Sequence, residues 1–431
     1  MAEFTPVLLT LPSFTPSLAV EVLPHGLTIH RFIIQADGRT HDIVVGPEAP
    51  EDHTTQKYTN TIIGRYANRV PTGTHKLQRN GYDGVLVAQA NGLSPSLLLR
   101  FPVYELFATE SARVSLHGGP IGFDSLPWTL LSADTPPTLF SKAELGHFPG
   151  DENGSHAIFR LVSPSGDQGY PGELTIEVLI SLLAPEPQVI EAGKEFSLGS
   201  LVYVYRARVN KGVTPVNLTQ HWGFNLEASM KERPGSDVKN HNLTLKADRI
   251  VSRDSDSLHT GKYISVASAP EHDHSGKKIG DKYPEPGYDD FYVFESRSID
   301  VPKRVPISTF SDDFDLVQSI ITPSTVISPV ALLSSDISGL SLAFDTNQSG
   351  VMFYSNIGAV PERDARKKIH GGSGLKGDGL APGTASFLEF HDVLSAFLDP
   401  SNKDGEDGLL TQDELYNNYV RCDVRFKALA K

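Results

Sequence analysis

His117, His221 and Glu389 lie in three separate short motifs, and two imidazoles with one carboxylate can move protons at neutral pH without a metal. The first motif is Leu116-His117-Gly118-Gly119, followed by Gly122-Phe123-Asp124 and Trp128. The second is Val216-Asn217-Leu218-Thr219-Gln220-His221, followed by Phe224-Asn225-Leu226. The third is Ser386-Phe387-Leu388-Glu389-Phe390. A glutamate with an ordinary pKa of about 4.3 is ionised at pH 7, and a histidine at about 6.5 is partly protonated, so one accepts a proton while the other gives one. Each residue also has a plain structural reading. A lone histidine is commonly just a hydrogen-bonded side chain, and Gly118-Gly119 can be a tight turn with no role beyond turning. Glu389 is flanked by large apolar residues, where a carboxylate is costly unless it is paired or used.

These residues need elements to hold them. On a strand, Asn217, Thr219 and His221 share one face and Val216, Leu218 and Gln220 the other, which predicts a strand with one wet side. Phe387, Glu389 and His391 likewise point one way, and Leu388 and Phe390 the other. Period-two alternation recurs at Leu174, Ile176, Val178 and Ile180, at Val202 and Val204, at Leu340, Leu342 and Phe344, and at Val420, Cys422, Val424 and Phe426. Short alternating runs, broken by 37 glycines and 30 prolines, predict an antiparallel all-β sandwich or barrel. Thr411-x-x-Glu414 has the form of a capping box and predicts a short helix before Leu415 and Tyr416. A length of 431 residues fits one large β unit over 1–431, with insertions at about 78–110, 134–157 and 231–285. The acidic stretch Asp399–Asp413 resembles a calcium loop. It fails as an EF-hand because Lys403 falls on the first ligand position when Gly408 is set at the sixth, so a solvated acidic loop is expected.

Composition narrows the function. A formal net charge of −14 disfavours nucleic acid, anionic membranes and highly phosphorylated substrates. Cys422 is the only cysteine, which excludes an intrachain disulfide framework and cysteine-rich metal sites. No run reaches the ~18 apolar residues of a membrane helix. No Lys or Arg precedes Arg31, and Pro6, Pro12 and Pro16 interrupt the apolar start, so a cytoplasmic location is expected. The sequons at Asn153, Asn217, Asn242 and Asn347 are then chance occurrences.

Seven segments, in order, carry a family resemblance. They are Asn60-Thr61-Ile62-Ile63-Gly64-Arg65-Tyr66-Ala67-Asn68-Arg69-Val70, Leu116-His117-Gly118-Gly119, Gly169-Tyr170-Pro171-Gly172, Asn217-Leu218-Thr219-Gln220-His221, Gly287-Tyr288-Asp289, Gly350-Val351-Met352-Phe353-Tyr354 and Phe387-Leu388-Glu389. Together they resemble the aldose 1-epimerases (galactose mutarotases), especially the longer fungal type, over roughly residues 25–428. The resemblance implies a large antiparallel β-sandwich of the galactose mutarotase type, with a sugar bound in an open cleft on one sheet. It implies Glu389 as general base, His221 as general acid and His117 as a second histidine that orients and polarises the sugar. It implies Asn68, Arg69 and Asp289 as substrate contacts. A free monosaccharide such as glucose or galactose, no metal or organic cofactor, and a monomer or homodimer follow from it.

Two other functions fit the same scaffold: a non-catalytic carbohydrate-binding protein, and a hexose-6-phosphate 1-epimerase, which would need extra Arg or Lys in the pocket. Four positions depart from the family pattern. Asp290 follows Asp289 where His is common, Met352 and His391 stand where Gln is frequent, and Trp222-Gly223 replaces Ser-Tyr. Trp222 can be a stacking face for the sugar or a filler on the opposite side of its strand. Arg65 can grip vicinal hydroxyls or form a structural pair.

Overall fold

The computed structural model describes residues 2–91, 111–148, 154–188, 193–232, 237–323, 325–326, 328–399, 401–402 and 406–428. The four strongest alternating runs become consecutive neighbours in a ten-stranded sheet: Leu174–Leu183, Glu195–Val209, Glu414–Lys427 and Leu340–Thr346, all antiparallel. Register explains why. Val202 and Val204, the apolar set expected for their strand, turn the other way and join Leu179 and Tyr419, whereas Val178 pairs with Tyr205, Ile180 with Tyr203, Leu201 with Cys422, and Cys422 with Phe344, which puts these residues on one face. That face forms the main core. Each fully buried Leu, Ile or Phe there contributes about 1.5–3 kcal/mol.

A six-stranded sheet covers this core. Its strands run in the order Trp222–Phe224, Ser386–His391, Gly350–Tyr354, Asp289–Phe294, Ala247–Arg253 and His259–Ser265. Trp222, Phe224, Leu388, Phe390 and Phe353 point inward. The Trp222 ring lies 5.3 Å from Tyr203 and 6.2 Å from Phe344, and Phe344 lies 5.1 Å from Phe390. Two antiparallel sheets packed face to face make a β-sandwich. No described helix is long and apolar enough to cross a membrane.

Several local expectations are corrected. Thr411-x-x-Glu414 starts no helix: Glu414 opens the strand Glu414–Lys427, whose following residues alternate with period two. The Glu414 carboxylate still accepts from the Thr411 N–H at 3.1 Å, but it does so in a turn and also grips Arg79 at 2.8 Å. Asp407 holds the same guanidinium at 2.7 Å, so this acid of the loop expected to be solvated is ion-paired instead; Asp404 lies outside the described residues. The wet side of the Asn217 strand is dry. Asn217 and Thr219 are fully buried, and Asn217 exchanges two 3.0 Å hydrogen bonds with the Asp392 backbone. A buried amide is tolerated when both its ends are satisfied.

The charged segment 231–285 is not only loop: it supplies Asn242–Leu245 and Ser275–Lys278 to one sheet and Ala247–Arg253 and His259–Ser265 to the other. Residues 134–157 hold the short helix Lys142–Leu145, capped by Ser141, while 149–153 lie outside the described residues. The stretch 78–110 begins in the hairpin of Gly73–Arg79 and Tyr82–Ala88, and 92–110 are not described.

Four buried histidines set the acid tolerance of this fold. Burial pushes His30 down to about 2, His53 and His274 to about 3, and His370 to about 4, with Lys367 or Lys277 nearby adding to the effect. The unfolded chain protonates these rings below about pH 6.5 while the folded chain does not, so their neutral state favours folding fully above that value and loses ground as pH falls. Together they are expected to cost on the order of 5 kcal/mol between pH 7 and 5.5. Urea unfolding at the two pH values checks this, and equal midpoints would sink it.

Candidate active site

Glu389 sits near the centre of Ser386–His391, and pairing aligns it with Met352, Phe387 with Tyr354, and Tyr354 with Asp289. Alternation therefore puts Glu389, Met352 and Asp289 on the outer face of the smaller sheet. Trp222 pairs with Leu388, which faces the core, so the preceding residue, His221, comes to the Glu389 side. His221 Nε2 lies 3.1 Å from Glu389 Oε1. The His221 backbone is fixed by bonds of 2.9 Å to Thr61 and Asn60.

His117 arrives from another direction. It ends the strand Val114–Leu116, which pairs with Arg69–Pro71. His117 has φ of 52° and Gly118 of 90°. A Cβ on Gly118 would meet the Gly64 carbonyl oxygen at 2.2 Å, so only glycine allows this close approach. The Asn68 N–H donates to His117 Nδ1 at 3.2 Å, and the His117 N–H donates to the Asn68 carbonyl at 3.0 Å. With Nδ1 accepting, the neutral ring carries its proton on Nε2. The two histidine rings meet edge-on at 5.5 Å. Tyr58 lies 4.8 Å from the His117 ring and 6.4 Å from that of His221.

All six candidate residues are thus brought together. His117, His221 and Glu389 have ligand-type atoms within 4.8 Å of one another. Asn68 braces His117, and its Oδ1 accepts from the Arg69 N–H at 2.9 Å. Arg69 reaches across to Asp289, 3.8 Å away. Two further members escaped sequence reasoning. Tyr58 is an aromatic residue just ahead of the Asn60 motif, which was a usable signal. Arg253, which contacts Asp289 at 3.2 Å, sits in a charge-rich segment with nothing to single it out.

The ambiguous residues separate cleanly. Arg65 is structural: it is buried and donates to Ser163, Pro164 and Gly172 at 2.7–3.0 Å, tying turns together. Trp222 is a core filler, fully buried on the face opposite His221. His391 is buried beside Phe291 and donates through Nδ1 to the Asp392 carbonyl at 2.7 Å. Met352 packs with Phe291 and Val393.

Burial opposes the charge on Glu389, but the His221 imidazole facing it, through its charge and its hydrogen bond, outweighs burial and holds the carboxyl at about 2. Burial pushes His117 well below its ordinary value, with His221 and Arg69 adding to this against the pull of Glu389, so it stays neutral. An ion held by all three side chains would need the lone pair of His117 Nε2, because Nδ1 already accepts from Asn68. That would set a proton on Nδ1 against the Asn68 N–H. Proton transfer requires no such rearrangement. A cavity of about 820 Å³ lies against Asp345, Tyr419 and Arg421 on the far face of the larger sheet, and no histidine lines it.

Comparison with known proteins identifies relatives of this chain. A family profile described as aldose 1-epimerase matches residues 104–372, a span that includes His117, His221 and Asp289. Galactose mutarotase from Bos taurus is 30% identical over 251 residues, covering 58% of this chain and 55% of that protein, so the chain spans about half the length of that relative. A protein from Arthroderma benhamiae named probable aldose 1-epimerase is 26% identical over 382 residues, covering 82% of this chain and 72% of its own. The crystal structure of a GalM/aldose epimerase homologue from C. elegans superposes with a TM-score of 0.65 at 17% identity, covering 98% of this chain and all of that one, and supports the fold.

Proposed function

The chain belongs to the aldose 1-epimerase family, and on that premise we propose that it interconverts the α and β anomers of free hexoses such as glucose or galactose. The observation that carries the proposal is the 3.1 Å pair of His221 and Glu389, with His117 edge-on beside it. Glu389 takes the proton from O1 of the sugar. The C1–O5 bond breaks, its electron pair goes to O5, and O5 takes a proton from protonated His221. The open-chain aldehyde rotates about C1–C2. O5 then attacks the other face of C1, returns its proton to His221, and O1 recovers the proton from Glu389. His117, neutral with its proton on Nε2, donates to a sugar oxygen and holds it in place. Glu389 Oε2 and His221 Nδ1, both buried, have no hydrogen-bond partner among the described residues.

Two observations favour this over the other functions. A sugar-binding protein needs no buried base beside a proton donor. The cations at the Asp289 end, Arg69 and Arg253, are matched by Asp289 and Asp290, an arrangement suited to neutral hydroxyls rather than to a phosphate. Polarimetry of freshly dissolved α-D-glucose and α-D-galactose tests the proposal. Accelerated mutarotation of either sugar is expected; uncatalysed rates with both, from folded protein, would reject it.

A further inference from the structure

Asp289 is held mainly by a side chain from the segment 231–285. Arg69 Nη1 stands 3.8 Å from Asp289 Oδ2, beyond hydrogen-bonding distance. Arg253 Nη1 donates to that same oxygen at 3.2 Å. Its Nη2 donates to the Asp289 carbonyl oxygen and reaches Asp290 Oδ1 at 3.4 Å. The placement follows from register. Ala247–Arg253 runs antiparallel to Asp289–Phe294, with Arg249 opposite Val293 and Ile250 opposite Tyr292. Carried on, that register sets Arg253 beside Asp289, on the face that holds Glu389.

The turn after Arg253 is braced in its own right. Asp254 Oδ1 accepts from the N–H groups of Asp256 and Leu258 at 2.9 and 3.0 Å. Asp254 and Asp256 both pair with Arg113, which directly precedes the strand leading to His117. One turn therefore ties the Asp289 strand to the His117 strand.

We infer that Arg253 is a positioning residue for the sugar: it occupies Oδ2 of Asp289, aims Oδ1 at a substrate hydroxyl, and is itself held by Asp290. A planar guanidinium with fixed donors suits this, because it orients a carboxylate rather than merely balancing its charge. Asp290 then acts as the anchor for Arg253. The inference rests on the mutarotase reading for its kinetic arm only.

The test uses Arg253→Ala and Arg253→Lys. Polarimetry of α-D-galactose gives KM and kcat, and calorimetry gives galactose affinity in a Glu389→Gln background that does not turn over. Arg253→Ala is expected to raise KM about tenfold and weaken binding equally, with kcat changed less than about threefold. Arg253→Lys should fall between Ala and wild type. The same measurements with 2-, 3-, 4- and 6-deoxygalactose identify the hydroxyl. For the one sugar lacking the group that Asp289 accepts, the Arg253→Ala penalty should vanish.

An equal penalty for every deoxy sugar, or unchanged KM and affinity, overturns the inference. If Arg253→Ala does not fold, the deoxy series on Arg253→Lys decides in the same way. A wild type that binds galactose without accelerating mutarotation rejects the catalytic reading alone, and the calorimetric arm still tests Arg253. A protein that binds none of these sugars overturns both.

Discussion

Glu389→Gln is expected to lower kcat for mutarotation by ~10²–10⁴-fold while galactose still binds. Glutamine keeps the shape of the side chain but cannot accept the O1 proton. The loss falls in kcat because the missing step occurs only in the transition state. Polarimetry gives the rate and calorimetry the affinity; a variant within about threefold of wild type would remove Glu389 from the mechanism. The wild-type pH profile offers an independent check. With its carboxyl held at about 2, Glu389 is ionised from pH 7 down to pH 4, so its base form is not lost in that range. Any activity lost on mild acidification should instead follow unfolding driven by His30, His53, His274 and His370. Activity falling while the protein stays folded would argue against that assignment.

Lys367→Met is expected to destabilise the fold by ~3–5 kcal/mol, the usual cost of breaking a buried ion pair by removing one partner. The Lys367 ammonium is fully buried and donates to Asp42 Oδ2 at 2.8 Å, to the His30 carbonyl at 2.6 Å and to the Val44 carbonyl at 2.8 Å. Methionine fills the space but leaves the buried Asp42 charge near two carbonyl oxygens, with the Arg31 guanidinium at 3.5 Å as its remaining counter-charge. Gln56, which exchanges hydrogen bonds with the Ala365 backbone, would remain as the nearby clip between the two segments. Adding Asp42→Asn removes the under-compensated charge and should recover part of the loss. Urea unfolding measures both. A change in Lys367→Met within ~0.5 kcal/mol, the range of an ordinary surface substitution, would contradict the prediction.

The face that carries Glu389 shows why some features were legible and others were not. Alternation marked the strands of the larger sheet although their central residues are buried on both sides: Val178, Tyr205, Cys422 and Phe344 line the common core, and Val202 and Val204 face the other way. The smaller sheet is harder to read. All of Ser386–His391 is buried on both faces, so Glu389 and Phe390 do not differ in exposure, and only the chemistry of Glu389 distinguishes it. Asn217 and Thr219 looked like a wet surface because polarity was the only guide, whereas their amide and hydroxyl groups are enclosed by backbone partners such as Asp392. The Thr411-Glu414 spacing suits a helix cap, but the period-two run after it wins because a strand there completes the core.

What the sequence by itself determined was the chemistry and the sheet class. Side-chain type fixes which groups can accept or give a proton, and local alternation fixes which segments extend. The ordered motifs placed His117, His221, Glu389, Asn68, Arg69 and Asp289 in one family. Tertiary structure decided which of these groups meet and what state they hold. The charge on Glu389 depends on His221, 168 positions earlier in the chain, and the tautomer of His117 depends on one backbone N–H at Asn68. Arg65 was assigned to structure and Arg253 to the site for the same reason. Hydrogen bonding and charge coupling act over a few ångströms in space, and separation along the chain does not report that distance.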